Sequence, residues 1–215
     1  MKRRICLGLS SVLVSGTVIA ATGGAAQTIA GMAGPPARTP RTEPSAGIVA
    51  GEDGDLGSGM TLPNPRFAKN GDGTVTDNRT GLIWLQDASC AELPRTDRAG
   101  RAYGTTAVSS AADLADPVCG LSDGSQAGDW RLPNRFELES LLDLEFYDPA
   151  LPNAAGTAKW AVDDPFSGVE SSYYWSSATL ADNPLFVWCV DLSDGVVFYA
   201  YEVNYYYLWP VRGGQ

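Results

Sequence analysis

Four runs near the end of the chain decide its fold class: Tyr173-Tyr174-Trp175-Ser176-Ser177, Leu185-Phe186-Val187-Trp188-Cys189-Val190, Val196-Val197-Phe198-Tyr199-Ala200-Tyr201 and Tyr206-Tyr207-Leu208-Trp209. Each is rich in aromatic and β-branched residues, which favour a pleated, half-buried surface. Ser193-Asp194-Gly195 separates the second run from the third and supplies a hairpin turn. Four strands are therefore predicted here. Twelve of the chain's 21 aromatic residues lie between Tyr173 and Trp209. Successive side chains of a strand point to opposite faces, so Val197-Phe198-Tyr199-Ala200-Tyr201 cannot bury all its bulk on one side. Either both faces are covered by other elements or part of this aromatic surface is open to a partner.

Upstream, the pattern is α+β. Asn70-Gly71-Asp72-Gly73, Thr74-Val75-Thr76, Asp77-Asn78-Arg79-Thr80-Gly81 and Leu82-Ile83-Trp84-Leu85 alternate turn chemistry with short strand-like runs, which predicts a small meander. Asn70, Asp72, Thr74 and Asp77 loosely resemble a calcium loop. Counting from Asn70, however, Val75 stands where such a loop wants Gly and Gly81 where it wants Glu. A turn is the preferred reading, with calcium as the alternative. The Ala-rich segment 97–115 is expected to hold a helix. A second helix is expected after Asn134, which lies three residues before Glu137 in capping-box spacing, with Phe136, Leu138, Leu141 and Leu142 as its apolar stripe. Glu137, Glu139 and Asp143 are then solvated or capping carboxylates, in preference to a glycosidase pair.

The remaining arithmetic works by exclusion. The 215 residues include no histidine, so imidazole catalysis, His-ligated zinc and a histidine pH switch are all absent. A formal charge of −10 counts against nucleic acid and sulfated polysaccharide as ligands. Lys2-Arg3-Arg4, an apolar run from Ile5 to Ala21 and a Gly24-Ala25-Ala26 end read as a signal peptide over residues 1–26. Its removal would take three positive charges and move the charge from −10 to −13. The mature protein is then exported, to the periplasm, the cell surface or the medium, and does not span a membrane. Residues 27–59 are rich in Gly, Pro and Ala with hardly any large apolar side chain, and read as a flexible linker or a loosely packed arm; the folded domain is assigned to 60–215.

Four ordered motifs carry a family resemblance: Asn70 through Asn78 with Gly81-Leu82-Ile83-Trp84; Gly128-Asp129-Trp130-Arg131-Leu132-Pro133-Asn134 with Glu137-Leu138; Tyr173-Tyr174-Trp175-Ser176-Ser177; and Trp209-Pro210-Val211-Arg212-Gly213-Gly214. Over about residues 65–214 the chain resembles the Lcl C-terminal domain family, named for the globular tip of a collagen-like bacterial adhesin. The resemblance implies a C-type-lectin-like fold, with two helices packed on a twisted antiparallel sheet, and a binding module in place of an enzyme. It also implies a fixed frame that includes Trp84, Trp130, Arg131, Trp175, Trp188 and Arg212. The intervening positions Leu180, Asp182, Phe186, Asp191, Ser193, Phe198, Tyr199, Tyr201, Glu202 and Tyr205 would then form the ligand-binding face. Arg131 and Arg212 are expected to lock loops. The resemblance further pairs Cys90 with Cys119, leaving Cys189 as a small buried apolar residue or, less favoured, an exposed dimerising thiol. One spare thiol does not meet the needs of a formylglycine-generating enzyme, which has a similar fold.

The expected function is adhesion or recognition of a surface glycan or protein, with no cofactor. A self-associating envelope subunit, possible as a homo-oligomer, is the second reading, and a carboxylate-based hydrolase the third.

Overall fold

The computed structural model describes residues 63–213. The signal peptide and the linker expected from the sequence lie outside the described residues. Two sheets organise the domain. The first is a meander of β1 (Phe67–Lys69), β2 (Thr74–Asp77) and β3 (Ile83–Leu85), joined on its far side by β9 (Val211–Arg212) in the order β1-β2-β3-β9. The second contains β4 (Arg101–Tyr103), β5 (Tyr173–Leu180), β6 (Asn183–Asp191), β7 (Val197–Tyr201) and β8 (Tyr205–Tyr207) in the order β4-β8-β5-β6-β7. All neighbours are antiparallel except β5 and β8. Among the described residues there are two α-helices, α1 (Gly104–Ala112) and α2 (Arg135–Leu141). The α+β class follows from both sequence and structure.

Local chemistry accounts for the meander. The Asn70 N–H donates to Thr74 O at 3.0 Å, and Asp72 Oδ1 accepts from the Thr74 N–H and hydroxyl at 3.1 and 2.6 Å. Gly73 has φ +84°, and a Cβ there would stand 2.5 Å from Gly120 O, so both backbone angle and space require glycine. In the next turn, Asp77 accepts from the Arg79 N–H and the Thr80 hydroxyl. Behind the turn, Arg66 is buried 3.8 Å from Asp77 and donates to Ser140 O, tying the meander to α2. Burial lowers the Arg66 pKa to about 10, with Asp77 opposing that shift.

Segment 97–115 holds the expected helix, preceded by a strand that the local sequence did not indicate. It opens with a turn at Asp97, whose carboxylate accepts from the Ala99 and Arg101 N–H groups, and continues as strand β4 before α1 begins. Pairing of Arg101, Ala102 and Tyr103 with Tyr207, Tyr206 and Tyr205 overrides the local helical preference of an Ala-rich segment. Helix α1 then buries Ala107, Ser110 and Ala111. Helix α2 carries the capping box read from the sequence: Asn134 accepts from the Glu137 N–H, and Glu137 accepts from the Asn134 N–H. Its stripe is narrower than expected. Leu138 and Leu141 are buried, whereas Phe136 is 62% exposed, because two residues of helix turn it roughly 200° from Leu138.

The fourth aromatic run also differs. Tyr205–Tyr207 forms β8, the chain then leaves the second sheet, and Val211–Arg212 pairs with β3 of the first. Trp209 fills the joint. Its ring lies 5.5 Å from that of Trp84, 4.8 Å from Phe166 and 5.8 Å from Tyr174, and its Nε1–H donates to Leu85 O at 2.8 Å. Trp175 and Trp130 are buried as well, with their indole N–H groups donating to Ala102 O and Ser125 Oγ. Such pairing removes the cost of burying an indole N–H.

Candidate functional site

Strand alternation divides the aromatic surface in two. Along β7, Val197, Tyr199 and Tyr201 point to one face and Phe198 and Ala200 to the other. The register places Tyr199 opposite Trp188 and Tyr201 opposite Phe186, while Phe198 stands opposite Cys189, itself opposite Trp175. Phe198 accordingly packs with Tyr173 at 5.0 Å and Tyr206 at 6.3 Å, behind the sheet from Tyr199.

The ten residues expected to form one face are thus separated by the structure. Leu180 and Asp182 sit at the tip of the β5–β6 hairpin. Asp191 and Ser193 shape the β6–β7 turn at the opposite end, where Asp191 Oδ1 accepts from the Ser193 N–H at 2.9 Å. Glu202 lies in the loop after β7, against Gly104. Tyr205 is on β8, beyond β5 and β6, with its ring 4.0 Å from Tyr103. Among the aromatic members of the set, Phe186, Tyr199 and Tyr201 bring their rings together on one face. The physical reason is that a sheet has two faces and two ends, and positions close in sequence alternate between them.

The residues that do meet form a cluster with partners the sequence reading left out. Tyr199 and Tyr201 are 51% and 41% exposed. Their rings lie 5.6 and 5.5 Å from Phe186, and Tyr199 also lies 5.6 Å from Trp188. Trp188, read as frame, is half-buried in this cluster. Its ring is 4.7 Å from the guanidinium of Arg135, which is 4.5 Å from the exposed ring of Phe136. Helix α2 packs on β5 and β6 and so delivers Arg135 to the edge of the rings. The signal for Arg135 was present as a basic residue beside Phe136, but only the docking of α2 brings it to Trp188. The result is an open surface with four aromatic rings, Phe186, Trp188, Tyr199 and Tyr201, and a cation, suited to stacking against a ligand.

The other singled-out groups are engaged within the fold. Arg131 donates two bonds of 2.7 Å to Glu137 and one of 3.0 Å to Gly213 O. Burial opposes ionisation of Glu137, but bonds from Arg131 and the Asn134 N–H outweigh it and hold the carboxyl below its usual range. Arg212 lies 2.9 Å from Asp123 and over the Trp130 ring. Cys90 and Cys119 form a disulfide, and Cys189 is a buried free thiol whose pKa is raised by desolvation. Asn70, Asp72 and Asp77, the calcium candidates, make hydrogen bonds within their own turns. A polar cleft of about 490 Å³ beside the disulfide is lined by Gly73, Asp87, Glu92 and Ser167; Asp87 accepts from the Ser89 N–H and Glu92 from the Cys119 N–H. Among the described residues no helix is long and apolar enough to cross a membrane, and no three His, Cys, Asp or Glu side chains form a metal-binding group.

Two sheets with two helices define a β-rich α+β domain that carries an open aromatic cluster on one face. The chain belongs to the Lcl C-terminal domain family, whose model matches residues 73–212. Membership places it among bacterial surface-associated, adhesin-like modules, and the Cys90–Cys119 disulfide is consistent with export. No curated protein and no solved structure matches the chain.

Proposed function

We propose that the domain is an exported, non-catalytic recognition module of C-type-lectin-like architecture that captures a surface glycan or protein through Phe186, Trp188, Tyr199 and Tyr201, with Arg135 at the rim. The observation that carries this reading is the exposure of Tyr199 and Tyr201 in contact with two further rings, on a face where neither contributes to the core. Rigid aromatic side chains supply large contact area at small entropic cost, and an adjoining guanidinium adds hydrogen-bond donors. A non-catalytic role is supported by the use of Glu137 in the helix cap and the Arg131 pair. The reading requires no cofactor. The acidic balance favours a neutral ligand over a sulfated one.

The test is a glycan and protein array probed with the purified domain, followed by the double variant Tyr199→Ala/Tyr201→Ala. Capture of the array hit should weaken roughly 10–100-fold while the melting temperature stays near that of the parent. Retained capture would remove this face as the site.

A further inference from the structure

Strand β7 is the edge of the second sheet, and among the described residues no strand covers its outer side. The direction of its backbone groups follows from the ladder with β6. The Asp191 N–H donates to Val196 O at 2.8 Å and the Glu202 N–H to Leu185 O at 2.9 Å. Bonded and non-bonded pairs alternate in an antiparallel ladder, so Phe198 and Ala200 bond to Cys189 and Val187. The N–H and C=O groups of Val197, Tyr199 and Tyr201 therefore point outward; of these, Tyr201 O accepts one bond, from the Asn204 N–H.

Natural sheets guard such edges with charge, proline or shortness. The other edges here follow that rule. Strand β4 has three residues and carries the Arg101–Asp97 ion pair, β1 ends on Lys69, and β9 has two residues. Strand β7, Val-Phe-Tyr-Ala-Tyr, has neither charge nor proline.

We propose that β7 is a self-pairing edge, through which two copies of this chain join by antiparallel β-augmentation about a two-fold axis at Tyr199. The outward residues are symmetric about Tyr199, so Tyr199 meets Tyr199 of the second copy and Val197 meets Tyr201, with every outward donor facing an outward acceptor. Glu202 of each copy falls opposite Val196 of the other, so no like charges meet along the strand in an otherwise acidic protein. The chain's own linker is a poorer occupant: between residues 27 and 59 no stretch longer than four residues is free of Gly and Pro, too short to pair with all of β7. Pairing also places the Tyr199 rings of both copies side by side on the aromatic face, joining the two clusters into one surface.

The test is sedimentation velocity over a concentration series of the chain purified after export to a bacterial periplasm. A monomer–dimer equilibrium is expected. Val197→Pro removes an outward N–H without touching the β6 ladder, and Tyr199→Lys sets two cations against each other on the axis. Each should raise the dimer dissociation constant about tenfold or more. If Val197→Pro fails to fold, as judged by circular dichroism, Tyr199→Lys alone decides. Tyr199→Cys should oxidise to a covalent dimer, because directly bonded antiparallel partners have Cα atoms about 5.5 Å apart. A monomer at every concentration, or a dimer unaffected by the lysine variant, would overturn the proposal. Failure here is distinct from failure of the ligand reading: Tyr199→Ala keeps the backbone donor and should dimerise while losing the ring that ligand capture needs.

Discussion

At the scale of single residues, the partner of a side chain decides its role. Glu137 closes the cap of α2 and holds Arg131, which in turn reaches Gly213. Its pKa lies below the usual value in the folded state, so its stabilising contribution is complete above the unfolded carboxyl pKa and is lost as pH falls through the lower folded pKa. Glu137→Gln should accordingly cost roughly 1–2 kcal/mol at neutral pH. Denaturation at a series of pH values should show the gap to the parent closing in the acid range below the usual carboxylate pKa. Cys189 is fully buried, and its Sγ lies 3.4 Å from Val187 O. The native protein should not react with a thiol reagent until it unfolds, and titration before and after denaturant checks this.

Elements show where neighbours decide conformation. The disulfide closes a loop of 29 residues that carries β4 and α1, so reduction or a double alanine variant at Cys90 and Cys119 should lower stability by about 3–4 kcal/mol in equilibrium denaturation. Strand β7 offers a contrast within one segment. Ala200→Pro would remove a bond to β6 and, at about 3 kcal/mol or more, destabilise the sheet, whereas proline at the outward-facing Val197 spares the ladder; thermal denaturation of the two variants compares them directly. The cap of α2 was legible because Asn134 and Glu137 act over three residues. The start of α1 was not, because β4 exists only through pairing with β8, about a hundred residues later.

For the whole molecule, the main structural joint is closed by the chain's last described strand. Pairing of β9 with β3, and Trp209 packed among Trp84, Phe166 and Tyr174, link the first sheet to the second. Trp209→Ala should cost about 3–5 kcal/mol, measured by denaturant unfolding, and truncation after Tyr207 should prevent folding altogether. The surface follows from the same packing, since the side of β6 and β7 that carries Phe186, Trp188, Tyr199 and Tyr201 extends beyond the core to where α2 presents Arg135.

Sequence by itself determined the α+β class, the meander turns, the family and the aromatic wealth of the last strands, because these rest on residue type and spacing over a few positions. It could not determine which aromatics share a face. That depends on the register between β6 and β7 and on sheet order, which set Tyr205 beyond two intervening strands from Tyr201 and put Phe198 behind Tyr199. The tertiary structure alone decided that Trp188 and Arg135 join the exposed rings and that β7 presents an unguarded edge, since both arise from contacts and strand order that local spacing does not encode.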